Sequence, residues 1–200
     1  MAGIRLIAGL GNPGPKYRHT RHNIGAEFVE WLASRAGIRL AQENRFKGLV
    51  GRGQLFGTEV FLLIPETYVN LSGEAVSALQ RFYKLEIGQV LIAYDEVAFE
   101  PGVLKLKDGG GAGGHNGIRS IIQCFGNEQG FLRLRIGVGH PGNKDRMVAY
   151  LTSERMQSAE QSLIESTWTF DDQVWRHLFA GDLQKAMTQL HMPKAEQEPE

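Results

Sequence analysis

Two imidazoles, one carboxylate and three neutral amides carry most of the chemical possibility in this 200-residue sequence. His22 lies in Tyr17-Arg-His-Thr-Arg-His-Asn-Ile-Gly25, His115 lies in Gly109-Gly-Gly-Ala-Gly-Gly-His-Asn-Gly117, and Asp95 closes the apolar run Val90–Tyr94. Asn12, Asn70 and Asn116 each sit in a turn-rich segment that follows a predicted strand. An imidazole steadied by a carboxylate is the pairing that makes a general base near neutral pH. Neutral amides donate to a developing oxyanion without adding charge. Taken singly, each residue has a plainer reading: His22 as a surface or hydrogen-bonded histidine, Asn12 as a turn former, Asp95 as a strand-end cap. Only their joint occurrence points to a site. No Gly-x-Ser-x-Gly elbow is present, and Cys124, inside the apolar helical run Ile118–Phe125, reads as a buried inert thiol. Water is therefore the expected nucleophile.

Two rival chemistries compete for the same loop. Gly9-x-Gly11-x-x-Gly14 matches the dinucleotide fingerprint, which needs its glycines to open straight into a helix whose N-terminus holds a pyrophosphate. Pro13 and Pro15 fix φ and remove two N–H donors, and the helix is predicted to start only near Asn23. His19-x-x-His22 has a spacing compatible with a metal, but no Cys or Glu partner set accompanies it. No cofactor and no metal are expected.

The elements that must position these residues alternate between strand and helix. Ile4–Leu10 reads as a strand. Ile24, Phe28, Leu32 and Ala36 recur at helical spacing and Gly37 is a natural stop. Residues 46–56 and 58–64 read as two strands about a turn at Gly57. A helix to about Tyr83 follows, with Ser72 as N-cap and Val76, Leu79 and Phe82 inward. Lys105 and Lys107 alternate onto one strand face, and Arg133 and Arg135 point outward from Leu132–Val138. Residues 153–190 read as two helices. Such alternation predicts an α/β protein: a three-layer α/β/α single domain, residues 1–190, with a twisted mixed, largely parallel central sheet. Residues 191–200 are polar with two prolines and read as a disordered tail. If the strands lie side by side, the loops bearing Asn12, Asn70, Asn116 and Asp95 share one rim.

Composition bounds the partners. No apolar run reaches the roughly 20 residues of a membrane span and no signal-peptide pattern opens the chain, so no membrane partner is expected. A single cysteine fits a reducing cytoplasm. Net charge is zero, yet residues 1–53 hold nine Lys/Arg against three Asp/Glu and 105–150 hold seven against three, while 54–104 and 151–200 are acidic. The basic segments are those with the Gly/Asn/His loops, which leaves a docked polyanion and a charge-patterned solvated surface as equal readings of charge alone.

Four long motifs in order resemble bacterial peptidyl-tRNA hydrolases: Gly9-Leu-Gly-Asn-Pro-Gly-x-x-Tyr-x-x-Thr-Arg-His-Asn-Ile-Gly25, Pro65-x-Thr-x-x-Asn-x-Ser-Gly73, Gly109-Gly-Gly-x-Gly-Gly-His-Asn-Gly117 and Arg133-Leu-Arg-Ile-Gly-x-Gly139. The resemblance implies a metal-free, cytoplasmic, monomeric enzyme that cleaves the ester between a peptide and the 3′ ribose of tRNA and so recycles prematurely released peptidyl-tRNA. It implies that His22 is the general base, Asp95 its orienter, and Asn12, Asn70 and Asn116 the amides that bind substrate and the tetrahedral intermediate. It places Tyr17, Tyr68, Val69 and His115 along the substrate groove. Lys107 and Arg135 become the clamp for the tRNA 5′-phosphate at the acceptor stem, with Lys105 and Arg133 as neighbouring phosphate contacts. The chain departs from the family pattern at Ile64, Val69, Tyr94, Val97-Ala98 and Ala112, which touch the groove lining and the surroundings of the site. A non-catalytic RNA-binding protein on the same fold is the rival from another class, and an intact base counts against it.

Overall fold

The computed structural model describes residues 2–193. Seven strands form one sheet in the order β2-β3-β4-β1-β5-β7-β6. The strands are β1 (Leu6–Gly9), β2 (Ala41–Glu43), β3 (Gly48–Leu55), β4 (Thr58–Pro65), β5 (Val90–Glu96), β6 (Leu104–Asp108) and β7 (Leu132–Gly137). The four central strands β4, β1, β5 and β7 run parallel, and β2, β3 and β6 pair antiparallel at the two edges. Of these, β1 and most of β4 and β5 are apolar on both faces, as a sheet covered on both sides requires, whereas β7 carries Arg133 and Arg135 on one of its faces.

Helices α1 (Ile24–Ala36), α5 (Ser158–Ser166), α6 (Asp172–Ala180) and α7 (Leu183–His191) cover one face. Ile24, Phe28 and Leu32 of α1 meet Ile7, Leu91 and Ala93 there. Burying each large side chain of this kind is worth about 1.5–3 kcal/mol. Helices α2 (Ser72–Phe82) and α3 (Asn116–Cys124) cover the other face, over Leu6, Ala8, Ile92 and Tyr94. The short α4 (Met147–Thr152) stands at the rim. Gly37 ends α1 with φ +65°, a left-handed cap that suits glycine.

Several expectations are corrected. Residues 158–191 form three helices, because Asp171 and Asp182 each start a new one by accepting backbone N–H groups through their carboxylates. Ser72 is not the N-cap of α2: that position is Leu71, and the Ser72 hydroxyl donates to Val69 O at 2.7 Å. Phe82 is half exposed, packing its ring against Phe46 and Arg45 at the surface. His191, expected to open a disordered tail, instead ends α7, and its Nε2 accepts the Leu106 N–H of edge strand β6 at 3.0 Å. Residues 194–200 of that tail lie outside the described residues.

The shared rim is also corrected. Because β6 is antiparallel, its last residue, Asp108, pairs with Leu132 at the start of β7, whereas Asp95 pairs with Ile136 near that strand's end. The glycine-rich segment 109–115 therefore leaves the opposite rim and climbs the sheet face, a rise of about 13 Å for four strand residues. Seven residues can span about 24 Å, so the climb is within reach. Gly109, Gly110, Gly113 and Gly114 all take positive φ along it.

Candidate active site

The first loop is pressed onto the sheet by two glycines. A Cβ on Gly9 would lie 2.1 Å from Gly25 O, and a Cβ on Gly25 would lie 2.1 Å from Ala93 O. Only glycine lets the start of α1 sit directly on the ends of β1 and β5. Just before α1, a 3₁₀ turn, Arg21–Asn23, carries His22.

His22 Nδ1 lies 2.9 Å from Asp95 Oδ2 at the end of β5. His115 Nε2 lies 2.9 Å from Asp95 Oδ1. His115 is the N-cap of α3, and its Nδ1 accepts the backbone N–H groups of Gly117 at 3.1 Å and Ile118 at 3.3 Å. Those two donors fix the tautomer: the proton of His115 is on Nε2 and points at Asp95. One buried carboxylate thus receives an N–H from each side.

The electrostatics follow. Burial opposes the charge of Asp95, but the neighbouring imidazoles and their hydrogen bonds outweigh it and hold the carboxyl well below the ordinary carboxylate range. Burial also works against protonating His22, yet the charge and hydrogen bond of Asp95 prevail and its pKa is raised. With Nδ1 donating to Asp95, His22 keeps an Nε2 lone pair for a substrate proton.

His22, Asp95, His115 and Asn116 line a cleft of about 730 Å³. Lys107 and Arg135 line it as well, and so do Met147, Val148 and Leu151 of α4. Asn116 Oδ1 accepts Arg119 Nη1–H at 2.8 Å, which leaves the amide N–H groups as the free end. Asn12 lies off this cleft. Its Oδ1 accepts the Val69 N–H at 2.8 Å, its backbone exchanges two hydrogen bonds with the Asn23 side chain, and it borders a smaller cavity of about 290 Å³. Val69 is buried, and its side chain is one of the groups that crowd Gly117. Asn70 and Tyr68 are exposed, and Tyr68 stands edge-on to Tyr17 at 6.3 Å.

The four cations separate too. Lys105 and Arg135 flank the Phe99 ring, and Arg135 is paired to Glu96 at 2.9 Å. Arg133, expected to point outward, is 1 % exposed: its guanidinium donates to Gly110 O and to Gly111 O, clasping the climbing glycine segment. The alternation holds, but this face of β7 is covered by that segment. A metal is a poor fit. His22, Asp95 and His115 offer donor atoms within 4.8 Å of one another, but His115 Nε2 must keep its proton while Nδ1 caps α3. His19 turns away, to Glu27 and Gln161.

A family model described as peptidyl-tRNA hydrolase matches residues 6–198. The chain belongs to the peptidyl-tRNA hydrolase family. Members of that family with similar sequences include the peptidyl-tRNA hydrolase of Aeromonas hydrophila, 50 % identical over 96 % of this chain and 97 % of that one, and that of Azotobacter vinelandii, 46 % identical over 98 % and 100 %. The crystal structure of peptidyl-tRNA hydrolase from Acinetobacter baumannii superposes with a TM-score of 0.89 at 44 % identity, covering 95 % of each chain. The family fold is thus the mixed, largely parallel sheet described above. No helix among the described residues is long and apolar enough to cross a membrane.

Sequence reasoning missed the wall formed by α4, the Arg119 contact to Asn116, and Asn23 as the brace of the first loop. Asn23 sits beside His22 in a quoted motif, and Met147, Val148 and Leu151 form a small apolar cluster, so weak signals existed for both. The role of Arg119 depends on a helical turn that places residues 116 and 119 together.

Proposed function

We propose that this cleft hydrolyses the ester joining a peptide to the 3′ ribose of tRNA, with water as the nucleophile. The observation that carries the reading is the line His22–Asp95–His115, in which Asp95 holds the Nδ1 proton of His22 and leaves Nε2 as base. His22 Nε2 takes a proton from water as the oxygen attacks the ester carbonyl. Asn116, its carbonyl oxygen engaged by Arg119, presents N–H groups to the resulting oxyanion. Asn12 and Asn70, outside the lining of this cleft, are the further amide donors, for the peptide backbone. Collapse breaks the bond to the ribose 3′ oxygen, which takes the proton back from the His22 imidazolium. The products are a free peptide carboxylic acid and tRNA, and no covalent enzyme intermediate forms.

Around this centre, Tyr17, Tyr68 and Val69 form the peptide side of the groove. Lys107 and Arg135 receive the 5′-phosphate of the acceptor stem, with phosphate displacing Glu96 from Arg135, and Lys105 adds a nearby charge. Arg133 contributes by holding the glycine segment in place. The enzyme works as a monomer in the cytoplasm. The direct test is His22→Ala assayed on intact peptidyl-tRNA. The expected loss is about 10²–10⁴ in kcat, the usual worth of a general base. A rate within a few-fold of the parent would remove His22 from the mechanism. Turnover should be indifferent to a chelator.

A further inference from the structure

Arg21 immediately precedes His22 in the chain, and it is one of the few buried charged side chains, with 8 % of its surface exposed. Every arm of its guanidinium is used. Nε and Nη2 donate to the two carboxylate oxygens of Glu160 at 2.9 and 2.8 Å, and Nη1 donates to Tyr150 O at 3.2 Å. The guanidinium carbon lies 3.8 Å from the centre of the Tyr150 ring. Tyr150 in turn donates its hydroxyl to Val138 O at 2.6 Å, just beyond β7. The neighbouring backbone is tied to the same region, with Met156 N–H donating to His19 O at 2.9 Å and Thr20 bridging to Arg155.

We infer that Arg21, held by Glu160 and Tyr150, is the positioning residue that sets His22 against Asp95 and registers the α4 wall to the same point. A planar fork gripping a carboxylate at two points fixes orientation as well as distance, which a lysine could not do. Its grip joins the turn of His22 to two elements far along the chain: α4, with the cleft residues Met147, Val148 and Leu151, and the first turn of α5. A displacement of about 1 Å at a reacting group costs about 10² in rate. This inference rests on His22 being the base, but its central claim concerns geometry and can be read without turnover.

The test follows the His22 imidazole by NMR titration in Arg21→Met and Glu160→Gln, with the signal assigned through His22→Asn. The titratable groups touching His22 are Asp95 on β5 and the His115 ring, 5.0 Å away between centroids. Glu96, Lys107, Arg133, Arg135, His140 and Lys144 line the same cleft. By charge alone, removing the Arg21 cation would raise the His22 midpoint and removing the Glu160 anion would lower it. Separation of His22 from Asp95 lowers it in both, and that common downward shift is the expected result. It should be accompanied by a fall in kcat of about tenfold or more with a smaller change in KM. Arg5→Gln, which breaks the half-exposed Arg5–Glu59 pair away from the cleft, should leave the midpoint where it is. Shifts of opposite sign, or unmoved midpoints, overturn the inference whatever happens to melting temperature. If Arg21→Met does not fold, Arg21→Lys, which keeps the cation but loses the two-point grip on Glu160, decides in its place: a lowered midpoint supports the inference and an unmoved one overturns it. A downward shift with turnover intact keeps Arg21 as the positioning residue and rejects instead the role of His22 as base.

Discussion

Replacing Asp95 by Asn is the most informative single change, because the carboxylate is asked to accept from two sides at once. Asp95 Oδ1 takes the proton of His115 Nε2 and Oδ2 takes that of His22 Nδ1, each at 2.9 Å. An asparagine has one accepting oxygen and one donating nitrogen. His115 cannot adapt, since its Nδ1 is occupied by the N–H groups of Gly117 and Ile118 at the start of α3. The substituted amide must therefore turn its oxygen towards His115 and its NH₂ towards His22. To meet that donor, His22 puts its lone pair on Nδ1 and its proton on Nε2, where the water should be deprotonated. The base is present, well placed and in the wrong tautomer.

A tautomer trap of this kind in a serine protease triad costs about 10⁴ in kcat. With water as nucleophile the expected loss is about 10³–10⁴, near the upper end of what a general base supplies. The assay is single-turnover hydrolysis of a defined peptidyl-tRNA across pH, with ¹⁵N spectra reporting which nitrogen of His22 is protonated. Loss of the carboxylate charge also removes what raises the His22 pKa, so the acid limb of the residual activity moves to lower pH. The decisive arm is the double variant Asp95→Asn with His115→Ala. With His115 gone, the amide is free to turn its oxygen to His22 and restore the productive tautomer, so the double variant should be faster than Asp95→Asn alone. A single variant within tenfold of the parent, or a double variant slower than the single, would refute the reasoning.

Other outcomes follow from the same geometry. Lys107→Ala and Arg135→Ala should raise KM more than they lower kcat, and the slope of log affinity against log salt should fall by about 0.7–0.9 for each phosphate no longer neutralised; an unchanged slope removes the residue from the clamp. Arg133→Ala should leave that slope alone and lower the melting temperature, since its partners are backbone carbonyls of the glycine segment. Gly25→Ala should destabilise by about 1–3 kcal/mol in a denaturant titration, because its Cβ would meet Ala93 O at 2.1 Å; a neutral result would mean that α1 can slide. Asn116→Ala should cost about 10²–10³ in kcat as a missing oxyanion donor, and Arg119→Ala should cost less, through a looser amide.

How much of this is legible in the sequence depends on the range of the interaction. Strand and helix periods mark out β1, β3, β4, β5, α1 and α3 closely, because alternation and the 3.6-residue repeat are local. Gly37 and the apolar stripe of α1 are readable for the same reason. The pairing of His22 with Asp95 spans 73 residues and comes from family resemblance, and the structure sets the two side chains 2.9 Å apart. The second imidazole on Asp95 is not foreseeable in that way: His115 looks like groove lining, and its commitment to α3 shows only in the N-cap geometry. Arg133 and the antiparallel sense of β6 are misread together. Period two tells which residues share a face, but it cannot tell that a glycine segment from the far rim will cover that face.

The placement of a weak base and neutral donors, instead of a stronger charge, fits the bond under attack. A peptidyl-tRNA holds one ester and many amides. In the proposed reaction the ribose 3′ oxygen leaves as an alcohol whose conjugate base is far less basic than the amine anion that a peptide bond would expel, so collapse towards the ribose needs little help. An imidazole that returns its single proton suffices for the ester. The peptide bonds, a residue or more away from His22 Nε2, would demand a proton delivered to nitrogen before they broke. Selectivity then resides in where one proton is parked. That is why the tautomer of His22, set by a carboxylate that a second histidine and a helix N-terminus hold in place, matters more to this site than the number of groups around it.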